Sequence, residues 1–167
     1  MAIELTLSEQ SRRYLQIVNN NNNNTMTTKQ PKRVQVVTVF LEYERKILLL
    51  RRSLKVRTMQ SLWAGISGYI EDKNKDPVWQ ALKEIEEETG LSNEMVKLLC
   101  VGKPLEAVES DKPDVIWTVH PFLFHSSTNL IRIDWEHDEV RWINPTDIQS
   151  YETVPKLKEA LENVYVC

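Results

Sequence analysis

Apolar positions recur with two different periods along this chain, and the switches between them mark out its elements. Over residues 34–41, and again over 46–52, β-branched and aliphatic residues dominate; the polar turn at 42–45 between them predicts a β-hairpin. Residues 62–70 predict a further strand, with the backbone turning sharply at Ser67 and Gly68. The period then lengthens. At about 100° per residue Val78, Ala81, Leu82, Ile85 and Thr89 share one stripe, the face that packs on a core. Asp76 is a good N-cap, Pro77 suits the first helical position and Gly90 stands where a left-handed cap belongs, so the helix runs from about Pro77 to Thr89. Strands are predicted over 96–102 and 115–125, with a loop at 103–114 between them. Asn144-Pro145 opens a short turn, and Leu157, Ala160, Leu161 and Val164 space out a closing helix over about 154–164 that covers one face of the sheet. Strands interrupted by one helix and finished by another give a mixed α/β domain.

The first 32 residues are different. Residues 1–18 predict a short helix with Ser8 as N-cap and Leu15 and Val18 among its apolar positions. Asn19 to Asn24 is an unbroken asparagine run, and the chain stays polar to Lys32. Such tracts bury too little surface to offset their ordering entropy, so residues 1–32 are expected to be an arm and linker and 33–167 the folded domain.

Composition narrows the class. With 167 residues, 41% of them apolar, and a formal charge of −3, the chain fits one soluble domain with a sizeable core and excludes a nucleic-acid-coating protein. Cys100 and Cys167 offer neither a disulfide framework nor metal-ligand spacing, and reduced cysteines are expected. No apolar run is long enough to span a bilayer and the N-terminus lacks the look of a secretory signal, so the expected compartment is the cytoplasm.

The central helix is built against its own electrostatics. Glu84, Glu87 and Glu88 are surface neighbours at i,i+3 and i,i+4 beside the apolar stripe, in the last turns where the helix dipole is negative. Each like-charge pair costs about 0.2–0.5 kcal/mol, and the dipole adds about 0.3–1 kcal/mol per charge. A solvated acidic face is one explanation. The other is a hard divalent cation, Mg²⁺ or Mn²⁺, which converts repulsion into coordination.

These residues resemble the Nudix box, G-x5-E-x7-R-E-U-x-E-E-x-G-U with U aliphatic. Lys83 stands at the Arg position, Glu84 follows, Ile85 is the aliphatic residue, Glu87 and Glu88 are the acidic pair, and Gly90-Leu91 close the motif. Gly68 resembles the opening glycine, but its distance to Lys83 is one residue longer than the pattern, and the expected Glu is Asn74 or Lys75. The resemblance implies a Nudix-type α/β/α sandwich with a mixed β-sheet. It also implies a metal-dependent pyrophosphohydrolase, in which water attacks phosphorus in the diphosphate of a nucleoside diphosphate linked to another moiety. On that resemblance Glu84, Glu87 and Glu88 hold the metal with a backbone carbonyl of Ser67 or Gly68, and Lys83 orients a carboxylate. Proximity in sequence makes Glu71, Asp72 and Asp76 the candidates to stand in for the missing Glu, and the resemblance implies a further carboxylate, for which Glu106, Glu109, Asp111, Asp114, Glu136 and Glu139 are candidates.

For the substrate, Arg51 and Arg52 are candidate phosphate contacts, and Trp63, Tyr69, Trp117 and Phe124 are candidate stacking surfaces. The partner expected is a small diphosphate, with no membrane and no nucleic-acid polymer; a homodimer is left open. Two other readings stand beside the hydrolase. One is a Nudix-fold binding or regulatory module without turnover, suggested by the departures in the box. The other is an isomerase of allylic diphosphates, whose family chemistry uses an active-site cysteine.

Overall fold

The computed structural model describes residues 30–166 apart from 73, 110 and 111. The short helix and asparagine linker expected near the N-terminus lie outside these residues. Eight strands form one mixed sheet: β1 (Lys32–Tyr43), β2 (Lys46–Arg52), β3 (Trp63–Ala64), β4 (Ile66–Tyr69), β5 (Val96–Val101), β6 (Leu105–Glu109), β7 (Lys112–Ser126) and β8 (His137–Ile143). Among the described residues two helices complete the frame, α1 (Pro77–Thr89) and α2 (Leu157–Tyr165), with short 3-10 turns at Asn93–Met95 and Pro145–Ser150.

The expected hairpin is there, closed by Glu44 and Arg45, both at positive φ, with Tyr43 opposite Lys46. Beyond the turn β1 leaves β2 and pairs with β4, Val36 to Val39 facing Tyr69 to Ile66. Along its other edge β1 runs parallel to β7 from Lys32↔Val115 to Glu42↔His125. The order β3-β2-β1-β7-β5 therefore mixes one parallel pair with antiparallel ones, while β8 adds to β2 and β6 to β7.

Strand alternation splits the core in two. Val37, Val39 and Leu41 of β1, with Leu48 and Leu50 of β2, pack on Ala81 and Ile85 of α1. Phe40, Ile47 and Leu49 point the other way, onto Leu157, Ala160, Leu161 and Val164 of α2. One helix thus covers each face, which is the α/β/α sandwich expected.

The structure departs from the sequence reading at three places. Residues 62–70 form two strands broken at Gly65, where an added Cβ would stand 2.7 Å from the Val39 carbonyl oxygen. The expected loop at 103–114 contains β6 and the start of β7; its alternation is short and charged, and it becomes a strand by pairing with β7, Ala107 opposite Trp117. Cys100 is buried and disulfide-bonded, not the reduced thiol expected, while Cys167 lies outside the described residues.

Candidate active site at the end of helix α1

Helix α1 begins and ends where its caps dictate. The Asp76 carboxylate accepts from the Val78 N–H at 2.9 Å, and Gly90, at φ 73°, donates to the Glu86 carbonyl. Packing rotates the helix so that the buried side is Gln80, Ala81, Ile85, Glu88 and Thr89. The three glutamates consequently meet different surroundings.

Glu88 lies inside. It is 4% exposed, its Oε1 accepts from the Ser67 N–H at 3.0 Å, and its Oε2 is buried without a hydrogen-bond partner. Burial pushes its carboxyl well above the usual range; the Ser67 amide opposes this, and Glu84, Asp134 and Glu136 reinforce it. Glu84 is half-buried, and its Oε1 accepts from Gln80 Nε2 at 2.6 Å. Its carboxyl is also raised, first by burial and then by Glu87 and Glu136, against the Gln80 bond and Lys83. The carboxylate rests on Gly68, where any Cβ would run into it. That contact is the physical reason for a glycine here, because φ at Gly68 is not positive.

Glu87 points outward, 56% exposed, with Lys83 Nζ at 3.8 Å. Lys83 makes a closer pair with Glu71, 3.0 Å away, which raises its pKa. Of the three acids weighed as stand-ins for the missing box Glu, Glu71 is therefore the one at Lys83. Asp72 instead folds the lengthened loop, accepting from the N–H groups of Asn74 and Lys75, and Asp76 caps the helix.

Beside this end of α1 opens a cavity of about 310 Å³, lined by Ser67, Gly68, Glu71 and Glu84 on one side and by Arg52, Thr58 and Glu136 on another. Its floor is apolar, with Val36, Ala107 and Val119 among the residues, and Tyr69 and Trp117 stand on its wall with ring centroids 5.8 Å apart. The Arg52 guanidinium is fixed by two bonds to the Thr58 carbonyl, at 3.1 and 3.2 Å.

Several candidates lie elsewhere. Arg51 is held by Asp138 and Glu139. Trp63 is buried edge-on against Tyr151, with Arg141 over its ring. Both line a separate depression on the surface. Phe124 is buried in the α1 core. Glu106 pairs with Arg33, Asp114 is exposed and Glu139 pairs with Arg141, and none of them lines the cavity. The side chain of Glu109 and all of Asp111 are outside what the structure describes. Cys100 does not line the cavity either. Sequence reasoning passed over Gln80, Thr58, Asp134 and His137. Only the last two carried a signal, an Asp-x-x-His run entering β8.

Among the described residues no three His, Cys, Asp or Glu side chains converge on a ready coordination sphere. The donors nevertheless fit a hard cation. Two raised carboxyl groups face a third at Glu136, and a buried carboxylate oxygen has no partner of its own.

The NUDIX domain family model matches residues 31–164. Similar solved structures include a MutT protein from Methanosarcina mazei Go1, at 21% identity and TM-score 0.64, with 81% of this chain and 94% of that one covered. A MutT NUDIX hydrolase from Burkholderia pseudomallei gives 24% and 0.62, covering 80% and 98%. The NUDIX domain of Shewanella oneidensis NrtR, solved with ADP ribose, gives 18% and 0.57, covering 95% and 96%. At these identities the likeness is one of fold. No curated protein matches.

Proposed function

This chain belongs to the Nudix family, and on that premise we propose that it is a metal-dependent pyrophosphohydrolase. Its substrate is an organic diphosphate, a nucleoside diphosphate linked to another moiety, cleaved by water attack on phosphorus. The observation that carries the reading is Glu88, a carboxylate sealed from water, with one oxygen on an amide and the other unpartnered, beside Glu84 and Glu136. In a protein shaped for stability alone such a group is a liability, because a buried polar atom left without a hydrogen bond costs about 1–3 kcal/mol.

A bound Mg²⁺ or Mn²⁺ supplies charge neutralisation at the phosphate oxygens and acidifies water. Glu84 and Glu88 are its principal donors, with a carbonyl at Ser67 or Gly68 and with Glu87 contributing from the rim. Glu136 adds a carboxylate from the facing wall. Lys83, held by Glu71, orients this acidic end. Arg52 is pre-set by Thr58 to meet a phosphate oxygen with its free N–H groups. Tyr69 and Trp117, two of the four aromatic residues considered for stacking, offer aromatic surface for the group attached to the diphosphate. The apolar floor keeps bulk water from the reacting end.

A ligand-binding module without turnover is the second reading, favoured by the extra residue before α1 and by Lys83 in place of Arg. One experiment separates the two. The native chain and Glu84→Gln are offered a panel of organic diphosphates with Mg²⁺ or Mn²⁺, and products are read by mass spectrometry. Metal-dependent cleavage by the native chain alone supports the hydrolase. Ligand binding without cleavage by either supports the module.

A further inference from the structure

The turn leading into β8 does more than deliver Glu136 to the cavity. Asp134 Oδ1 accepts from the Glu136 N–H at 3.1 Å and bonds His137 Nδ1 at 2.9 Å. Ser53, just past β2, anchors the same turn: its N–H meets the Glu136 carbonyl at 2.7 Å, and its Oγ donates to the Trp135 carbonyl at 3.0 Å. With Nδ1 bonded to Asp134, the ring is oriented so that Nε2 faces the interior. There Nε2 lies 3.7 Å from Glu88 Oε2, the oxygen with no hydrogen-bond partner. The two side chains are 2% and 5% exposed, so no bulk water stands between them and the rest of the core.

At 3.7 Å this approach is longer than a hydrogen bond, but it aims a polar ring nitrogen, which an apolar side chain of like volume lacks, at an oxygen with no hydrogen-bond partner. Its consequence is geometric. A glutamate reaching from a helix has three side-chain torsions, whereas a metal donor must hold its position to within about 0.5 Å and 10–20°. Ser67 fixes one oxygen of Glu88 from the strand side, and His137 walls in the other from the side of β8. We propose that His137, itself oriented by Asp134, is a positioning residue for Glu88, holding the plane of its carboxylate for a divalent cation. This rests on the hydrolase reading and adds to it a residue outside the box and outside the cavity lining. A buried histidine that merely fills space would make different demands: any side chain of like volume would serve as well.

The test uses the full chain and its His137→Leu, His137→Gln and Asp134→Asn variants. Each is titrated with Mn²⁺ by calorimetry, with the thermal midpoint in EDTA measured alongside. Partners of ligating groups are typically worth 10–100-fold in metal affinity. His137→Leu, close in volume, is expected to weaken Mn²⁺ binding by about that factor while keeping its EDTA midpoint. Gln, which returns a polar atom at similar reach, recovers part of the loss, and Asp134→Asn shows a smaller loss in the same direction. Binding by His137→Leu within about twofold of native, or no advantage of Gln over Leu, overturns the proposal. Should the Leu variant fail to fold in EDTA, His137→Gln and Asp134→Asn decide: native affinity in both refutes the role, and weakened binding in both at a native EDTA midpoint upholds it. A native chain that binds no Mn²⁺ sinks the hydrolase reading itself, and this role with it.

Discussion

Replacing Gly68 with Ala adds one carbon at the place where the Glu84 carboxylate rests. The obstacle is the far end of a flexible side chain, not backbone, so the fold can accommodate the methyl group by swinging Glu84 aside. Overpacking against rigid neighbours costs about 1–3 kcal/mol. Here the cost falls below that range and is offset by about 0.4–1 kcal/mol from the narrower unfolded ensemble, since φ at this position already suits alanine. The EDTA midpoint should therefore move by no more than about 3 °C. Function should respond quite differently. Moving Glu84 breaks its 2.6 Å bond from Gln80 and displaces the carboxylate by about the 1 Å that costs on the order of 10²-fold in rate. Calorimetry with Mn²⁺ and initial rates of diphosphate cleavage measure the two effects on one preparation. A Gly68→Ala protein with native Mn²⁺ affinity and native turnover would refute the assignment of Glu84. A large fall in the EDTA midpoint would show instead that Gly68 is structural.

Three further predictions follow from the charges around α1. Glu88→Gln removes a carboxylate that burial disfavours in its ionised form; at neutral pH without metal it should raise the thermal midpoint while abolishing the stabilisation by Mn²⁺, measured by differential scanning fluorimetry. The pH dependence has a definite sign. The folded-state pKa values of Glu84 and Glu88 are raised above the unfolded value of about 4.3. The stability they contribute is thus fully present below that value and lost as pH rises through the folded values. Midpoints measured in EDTA against the Glu84→Gln/Glu88→Gln double variant should show this fall, and saturating Mn²⁺ should flatten it. Finally, Glu71→Gln breaks an exposed pair with Lys83, so the urea midpoint should hardly move; turnover should fall clearly if Lys83 orients the acidic end.

Much of this architecture is written in local chemistry. Asp76, Pro77 and Gly90 set both ends of α1 from within a few residues, because caps are satisfied by near neighbours, and the observed helix keeps those bounds. The hairpin and the closing helix were likewise legible from period and turn chemistry. What the sequence could not disclose is which side of each element faces which neighbour. Glu84, Glu87 and Glu88 read as one surface cluster, yet packing on β4 buries the last, half-buries the first and leaves Glu87 beside Lys83. Strand β6 exists because β7 pairs with it, and an isolated charged stretch does not announce its partner. Arg51 and Arg52 are adjacent in the chain, but strand alternation sends them to different surfaces, one to Asp138 and Glu139 and the other to the cavity. The approach of Asp134 and His137 to Glu88 spans about fifty residues, and only the sheet, by laying β8 along β2, brings them together.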